Sequence, residues 1–143
     1  MPEDEGVARV LLTGRFARTR YLAHALEQLD IALQFEDPEY LAVLAERDAR
    51  VVALALFGTV AGARACSKLH LLAGDEDALA PLATGIAQLC ADSGERLLIC
   101  ELPDEPSFVP VALALGAAGF VEEGMVPDYV ADAIALRLLV WRP

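Results

Sequence analysis

Two stretches of the chain repeat apolar residues at the spacing of an amphipathic helix. In residues 19–34 these positions fall on one side of a helix, with Thr19 available as its N-cap. In residues 78–91 apolar side chains recur at i, i+3, i+4, i+7, i+10 and i+11, and Asp77 is a candidate N-cap. A shorter helix is predicted over residues 107–117. The pattern therefore predicts three helices.

Apolar runs between turn-forming stretches predict six strands: Tyr40–Ala45, Val51–Phe57, Ala65–Ala73, Leu97–Cys100, Phe120–Met125 and Ala135–Trp141. The third run alternates in polarity, so that Lys68 and His70 fall on one face together with Cys66. Leu69 and Leu71 fall on the other face. The fourth run is continuously apolar, which is typical of a strand that is buried on both faces and has a parallel neighbour.

This order of elements predicts an α/β domain. A three-strand meander, followed by a strand-helix-strand-helix-strand crossover, gives a mixed, mostly antiparallel central sheet flanked by helices. Because domains cluster near about 100–150 residues, we expect residues 1–143 to form a single domain. The acidic start, residues 1–6, is predicted to be disordered.

The composition is apolar, but it does not indicate a membrane protein. Hydrophobic residues make up 56% of the chain, which predicts a dense core and some apolar surface for a partner, such as a second copy in a homodimer. No run approaches the roughly 20 apolar residues of a membrane span, and the first residues are acidic, unlike a signal peptide. We therefore expect a cytoplasmic protein with no membrane partner.

The charge balance argues against nucleic acid as a partner. The net charge is −11, from 22 acidic and 11 basic residues, and the only lysine is Lys68. The three cysteines lie in apolar segments without the spacing of a zinc site, so we expect buried free thiols. His24 and His70 are also too far apart to indicate a metal site, and none is predicted.

Residues in the C-terminal part resemble a known family. The segment Phe108–Phe120 is similar to the stretch of the GNAT N-acetyltransferases in which a helix precedes a Gly-Phe pair, here Gly119 and Phe120. Further matches lie on both sides, at Glu101, Pro106, Glu123, Pro127, Asp128 and Tyr129. The resemblance covers roughly residues 40–143.

The resemblance implies a GNAT-like (acyl-CoA N-acyltransferase) fold and transfer of an acetyl group from acetyl-CoA to an amine. It also implies that the cofactor binds main-chain groups of the third strand, at Leu71, Leu72 and Ala73. Glu101 and Tyr129 are the candidate catalytic residues, with Glu101 as a base or as an anchor for the amine. The alternatives are a solvated or helix-capping Glu101, and a turn at Asp128 beside one packed aromatic, Tyr129.

The interval after the third strand departs from the family pattern. GNAT proteins carry an Arg/Gln-x-x-Gly-x-Gly/Ala loop, whose N–H groups hold the coenzyme A pyrophosphate at a helix N-terminus. Here the interval Gly74–Pro81 is shorter, lacks a basic or amide residue, and contains three carboxylates, those of Asp75, Glu76 and Asp77. The same acids would stabilise a helix start without any ligand.

The proton donor of the family also has no counterpart. The family tyrosine lies four positions before the glycine of the Gly-Phe pair, where this chain has Leu115, which cannot donate a proton. We therefore expect that acetyl-CoA-dependent transfer is lost or impaired, and that the domain binds a small amine or a protein ligand. The alternatives are an active N-acetyltransferase that uses acetyl-CoA at an atypical site, and an unrelated α/β domain without the splayed strands of a GNAT sheet.

Overall fold

The computed structural model describes residues 40–143 of the chain. The helix predicted over residues 19–34, the disorder predicted for residues 1–6, and His24 all lie outside this range. The described elements, in chain order, are β1 (Tyr40–Arg47), β2 (Arg50–Thr59), β3 (Cys66–Gly74), α1 (Glu76–Asp92), β4 (Leu97–Pro103), a 3-10 helix (Pro106–Phe108), α2 (Val109–Ala117), β5 (Val121–Ala131) and β6 (Ile134–Trp141). All six predicted strands and the two predicted helices within this range are present.

The strands form a single mixed sheet in the order β1-β2-β3-β4-β6-β5. Every neighbouring pair is antiparallel except β3 and β4, which are parallel. This confirms the predicted mixed, mostly antiparallel sheet and the parallel neighbour of β4. The predicted burial of Leu97–Cys100 on both faces holds fully for one face only, because Leu98 and Cys100 are buried whereas Leu97 and Ile99 are half-buried.

Both described helices pack on the same face of the sheet. The helix α1 contacts β2, β3 and α2, and its apolar stripe enters the core through side chains such as Leu79 and Ile86. Leu79 is 1% exposed and Ile86 is 0% exposed, and full burial of such a side chain stabilises the fold by about 1.5–3 kcal/mol. Leu54 and Leu56 of β2 are also buried, on the opposite face from Ala53.

The β1–β2 hairpin is tighter than the polar stretch between the two apolar runs suggested. Arg47 pairs with Arg50, so that only Asp48 and Ala49 form the turn. Their φ angles of 52° and 63° are both positive, as in the type I′ turns that suit the twist of a two-residue hairpin. The strands therefore extend beyond their apolar runs, because the turn chemistry and not the hydrophobicity sets their ends.

The strand β3 contains a bulge that interrupts its alternation. Leu69 faces Phe57 and Leu71 faces Leu56, so His70 is the additional residue in the register. Because of this additional residue, Leu69 and Leu71 do not continue one alternating face. The predicted division of the β3 side chains between two faces therefore holds only before the bulge.

The Gly-Phe pair has a structural explanation at the end of α2. Gly119 has a φ of +100°, and a Cβ atom there would lie 3.3 Å from Cδ1 of Trp141. Phe120 follows directly and is buried in the core. The pair thus lets the chain leave α2 and enter β5 underneath the indole ring of Trp141.

Candidate functional site

A cleft opens in the middle of the sheet, where β3 and β4 diverge. The two strands are paired at only three positions, Cys66–Lys68 with Leu97–Ile99. Beyond this seam, β3 continues to Gly74 along β2, and β4 continues to Pro103 along β6. Alternate residues of each strand therefore direct main-chain N–H and C=O groups into the space between the two strands.

An ion pair spans the cleft where it begins to open. Lys68 Nζ donates to Glu101 Oε2 at 2.9 Å, and the two side chains are 29% and 37% exposed. Lys68 faces Ile99 across the parallel pair, which places its side chain on the same face as Glu101 two residues further along β4. The negative charge of Glu101, which was predicted to act as a base or amine anchor, is therefore balanced by the single lysine of the chain.

The three residues predicted to bind a cofactor through their main chain line the cleft. Leu71, Leu72 and Ala73 lie in the part of β3 that faces β2 on one side and the opening on the other. Leu72 and Ala73 are buried and Leu71 is half-buried. Their side chains thus pack into the domain, and only their main chain is placed to meet a ligand, so their cofactor role stays a prediction.

The helix α1 begins almost directly after β3. The strand ends at Gly74, which has a φ of +139°, and only Asp75 separates it from the first helical residue, Glu76. The N–H group of Asp75 donates to the carbonyl of Val52 at 2.8 Å. This group is therefore engaged by β2 and does not point freely toward a ligand at the helix N-terminus.

Carboxylates occupy the N-terminal end of α1. Asp75 is the N-cap residue, although its side chain makes no capping hydrogen bond, so the prediction of Asp77 as the N-cap was wrong. Asp77 lies in the first turn and pairs with Arg47 at 3.0 Å. Asp75, Glu76 and Asp77 are all exposed. They offset the positive end of the helix dipole, which is equivalent to about half an elementary charge, and so weaken the attraction of this end of α1 for an anion.

Leu115 lies in the core of the domain. It is 0% exposed within α2 and belongs to the cluster of buried residues between the helices and the sheet. Its carbonyl accepts a hydrogen bond from the N–H of Phe120 at 3.0 Å. The position that holds a proton donor in the family motif therefore serves packing here.

Tyr129 lies away from the cleft. It is 65% exposed on the edge strand β5, so the interpretation of Tyr129 as a packed aromatic was wrong. The neighbouring Asp128 lies within β5, at an irregularity in its pairing with β6, and the turn itself follows at Asp132 and Ala133. Asp128 has a φ of 55°, and its Oδ1 accepts a hydrogen bond from the N–H of Ala133 at 2.8 Å. Strand β6 separates β5 from β4, so the topology does not bring Tyr129 and Glu101 together. The catalytic roles of both residues stay predictions.

The three cysteines are free and buried, as predicted. Burial raises the pKa of the Cys100 thiol to about 12, with Lys68 lowering it and Glu101 raising it to smaller extents. Burial, and after it the charge of Glu95, also raises the pKa of Cys66 and of Cys90. None of these thiols is placed to act as a thiolate nucleophile at neutral pH.

The Lys68–Glu101 ion pair was not predicted from the sequence. The Lys68–Glu101 pair joins residues 33 positions apart, and the sequence contains no local pattern that relates them. The available signal was the parallel pairing of their two strands, which was predicted.

Within residues 40–143 no group of three or more His, Cys, Asp or Glu side chains could hold a metal ion. In the same range, no helix is long and apolar enough to cross a membrane.

Comparisons with known proteins show the fold. No family model matches the chain, and no curated protein matches it. Solved structures do match. One is a protein from Desulfovibrio desulfuricans described as an acetyltransferase of the GNAT family, with a TM-score of 0.84 and 19% identity over 99% of this chain and 94% of that one.

Two further structures have known activities. An aminoglycoside 6'-N-acetyltransferase complexed with coenzyme A matches with a TM-score of 0.74 and 15% identity, over 99% of this chain and 92% of that one. The ribosomal-protein-S18-alanine N-acetyltransferase from Escherichia coli matches with a TM-score of 0.73 and 14% identity, over 99% and 89% of the two chains. The chain therefore has the mixed α/β fold of the GNAT acyltransferases, as predicted, and the alternative of an unrelated fold is excluded.

Proposed function

Starting from the GNAT fold, we propose that this domain binds a small amine or a protein ligand at its central cleft and does not transfer an acetyl group from acetyl-CoA. The observation that carries the proposal is the start of α1. A single residue, Asp75, separates β3 from the helix, and three carboxylates occupy the position at which the GNAT motif holds a pyrophosphate.

The residues at the start of α1 do not fit coenzyme A. A pyrophosphate site needs several free N–H groups that converge on one anion, whereas the N–H of Asp75 is engaged by Val52. The carboxylates of Asp75 and Glu76 would also repel the phosphates, because like charges about 4 Å apart interact by about 1 kcal/mol in water and by more near a protein surface. The third carboxylate, that of Asp77, is paired with Arg47. The β3–α1 connection thus disfavours binding of the coenzyme A pyrophosphate both by its geometry and by its charge.

The buried position of Leu115 supports the proposal independently. Release of a thiolate from a thioester is assisted by a proton donor within hydrogen-bonding reach. Leu115 supplies none, and its surroundings in the core are apolar. Loss of the donor would impair the chemistry even if the cofactor were bound.

The cleft retains groups that suit a binding role. Glu101 provides a carboxylate at the opening, and Lys68 holds it in a fixed position. A ligand amine would compete with Lys68 Nζ for Glu101 Oε2, while main-chain groups along the divergent edges of β3 and β4 could hydrogen-bond the rest of the ligand.

The alternative function is an active N-acetyltransferase with an atypical cofactor site. One observation favours it: the cleft between β3 and β4 is open along Leu71, Leu72 and Ala73, so main-chain groups there remain available. On this alternative, acetyl-CoA would depend on the cleft for its binding energy, with little contribution from the pyrophosphate.

A thermal-shift titration separates the two functions. We expect acetyl-CoA at millimolar concentration to leave the Tm unchanged, with ADP as a control for non-specific effects of an anion. A ligand at a hundred times its Kd stabilises a protein by about 2.7 kcal/mol, so binding would be visible. A saturable rise in Tm with acetyl-CoA but not with ADP, followed by release of free thiol when amines are added, would establish the alternative.

A further inference from the structure

A second pocket lies on the helix side of the sheet, away from the cleft. It is partly open, has a volume of about 190 Å³, and its lining includes residues of the C-terminal end of α1 and of the first three strands. Phe57 and Leu89 form apolar walls, and Ser67 and Ser93 contribute hydroxyl groups. Ser67 faces Leu98 within the seam where β3 and β4 are still paired, so this pocket is separate from the cleft.

Glu95 contributes a carboxylate to the pocket. Glu95 lines the pocket, and its Oε2 atom is shielded from solvent and accepts no hydrogen bond from residues 40–143. The N–H of Glu95 donates to the carbonyl of Cys90 at 2.9 Å, which fixes the residue against the end of α1. A shielded carboxylate oxygen without a donor is unfavourable, so a ligand that donates a hydrogen bond to it would gain stability there.

The surrounding electrostatics favour a cation. The negative end of the α1 dipole points to this region, and the last turn of α1 contains no basic residue. Arg96 is the nearest basic residue in sequence, and its guanidinium donates twice to the carbonyl of Arg64, at 3.0 and 2.8 Å. Among the described residues no cation is therefore placed on Glu95 Oε2.

We propose that this pocket binds a small organic ammonium ion, with its charge on Glu95 and its apolar part between Phe57 and Leu89. A cavity of about 150 Å³ with apolar walls is large enough for benzene, so a pocket of 190 Å³ accommodates a ring or short chain with one ammonium group. This site is independent of the function proposed for the cleft.

The test compares two ligands of the same shape, benzylammonium and benzyl alcohol, by NMR titration of the whole protein. We expect benzylammonium to bind at least tenfold more tightly, with amide shifts centred on Thr59, Ser67 and Ser93. We expect Glu95→Gln to abolish this preference. Asp92→Asn removes an equal charge from the same end of α1 but does not line the pocket, so it should retain the preference.

A third variant separates the pocket from the cleft. Glu101→Gln should leave the benzylammonium affinity unchanged, whereas it would remove binding at the Lys68–Glu101 pair. The proposal is overturned if benzylammonium does not bind at millimolar concentration, if the two ligands bind equally, or if the shifts centre on Lys68. If Glu95→Gln does not fold, the comparison of the two ligands on the natural chain and the location of the shifts still decide the matter.

Discussion

At the scale of single residues, Cys100 shows how its position in the sheet determines its chemistry. It lies on the face of β4 that the helices cover and is 3% exposed. Its charged neighbours, Lys68 and Glu101, form their ion pair with each other on the opposite face. Burial therefore dominates, and the thiol stays protonated at neutral pH, with a pKa of about 12.

This raised pKa predicts a loss of stability in alkaline solution. The pKa of an unfolded cysteine is close to the reference value of 9.0, so only the unfolded state releases the Cys100 proton between pH 9 and pH 12. The stability that Cys100 contributes by keeping its proton in the folded state is fully present below pH 9. It is lost as the pH rises through 12, because the free energy of unfolding falls by about 1.4 kcal/mol per pH unit in between.

We expect the free energy of unfolding to decline more steeply above pH 9 for the natural chain than for Cys100→Ala. Urea denaturation at pH 7.5, 9 and 10.5 measures the two slopes. Cys66→Ala is the control, because the pKa of Cys66 is also raised but not to a comparable value. Identical pH slopes for the natural chain and Cys100→Ala would contradict this prediction.

At the scale of elements, the β3–α1 connection is set by Gly74. Its φ of +139° is accessible to glycine, and a Cβ atom there would lie 2.3 Å from the carbonyl oxygen of Val52 and 2.4 Å from Cα of Ala53. The close contact brings the chain against β2, where Asp75 donates its hydrogen bond. The short connection therefore depends on the absence of a side chain at this position.

We expect Gly74→Ala to destabilise the domain by about 3 kcal/mol or more, since backbone strain and steric overlap each cost about 1–3 kcal/mol. Gly85→Ala is the matched control within α1, where a Cβ atom would meet nothing within 4 Å. It should stabilise the helix by about 0.5–1 kcal/mol. Chemical denaturation of both variants measures the difference, and similar stabilities for the two would refute the explanation of Gly74.

The elements also show which features a sequence can reveal. The helical spacing of Leu79, Leu82 and Ile86 predicted α1 because those side chains are buried together. The start of α1 was placed two residues late, since three consecutive acids could each cap a helix and the contact of Gly74 with β2 decides among them. The bulge at His70 was not predictable, because it depends on how β3 pairs with β2.

At the scale of the whole molecule, the type of sheet could be predicted from the sequence, but which candidate site residues lie close together could be predicted only in part. The order of runs predicted the mixed sheet, whereas the separation of Glu101 from Tyr129 follows from the insertion of β6 between β4 and β5. A sequence lists β5 before β6 and does not state which of them borders β4. The two predicted catalytic residues therefore lie apart in the sheet, and their roles stay predictions.

The net charge of −11 predicts that salt stabilises the domain. Self-repulsion destabilises the folded state, and the screening length falls from about 30 Å at 0.01 M salt to about 10 Å at 0.1 M. We expect a gain of about 1 kcal/mol over this range, which corresponds to a Tm increase of about 4 °C. Asp132→Lys, at an exposed turn, reduces the net negative charge and should show a smaller increase, whereas a Tm that falls with salt would contradict the argument.

The short seam between β3 and β4 has a mechanical consequence. Three residue pairs join these strands, whereas every other neighbouring pair in the sheet is joined by at least six. The sheet thus consists of two three-stranded leaves, β1-β2-β3 and β4-β6-β5, which are joined only by the short pairing of β3 with β4. The helix α1 packs mainly on the leaf β1-β2-β3. Rotation of one leaf against the other would strain few main-chain hydrogen bonds, so we expect the width of the opening to adapt more readily than the pairing within either leaf. Occupants of different thickness can enter it while both leaves keep their internal pairing.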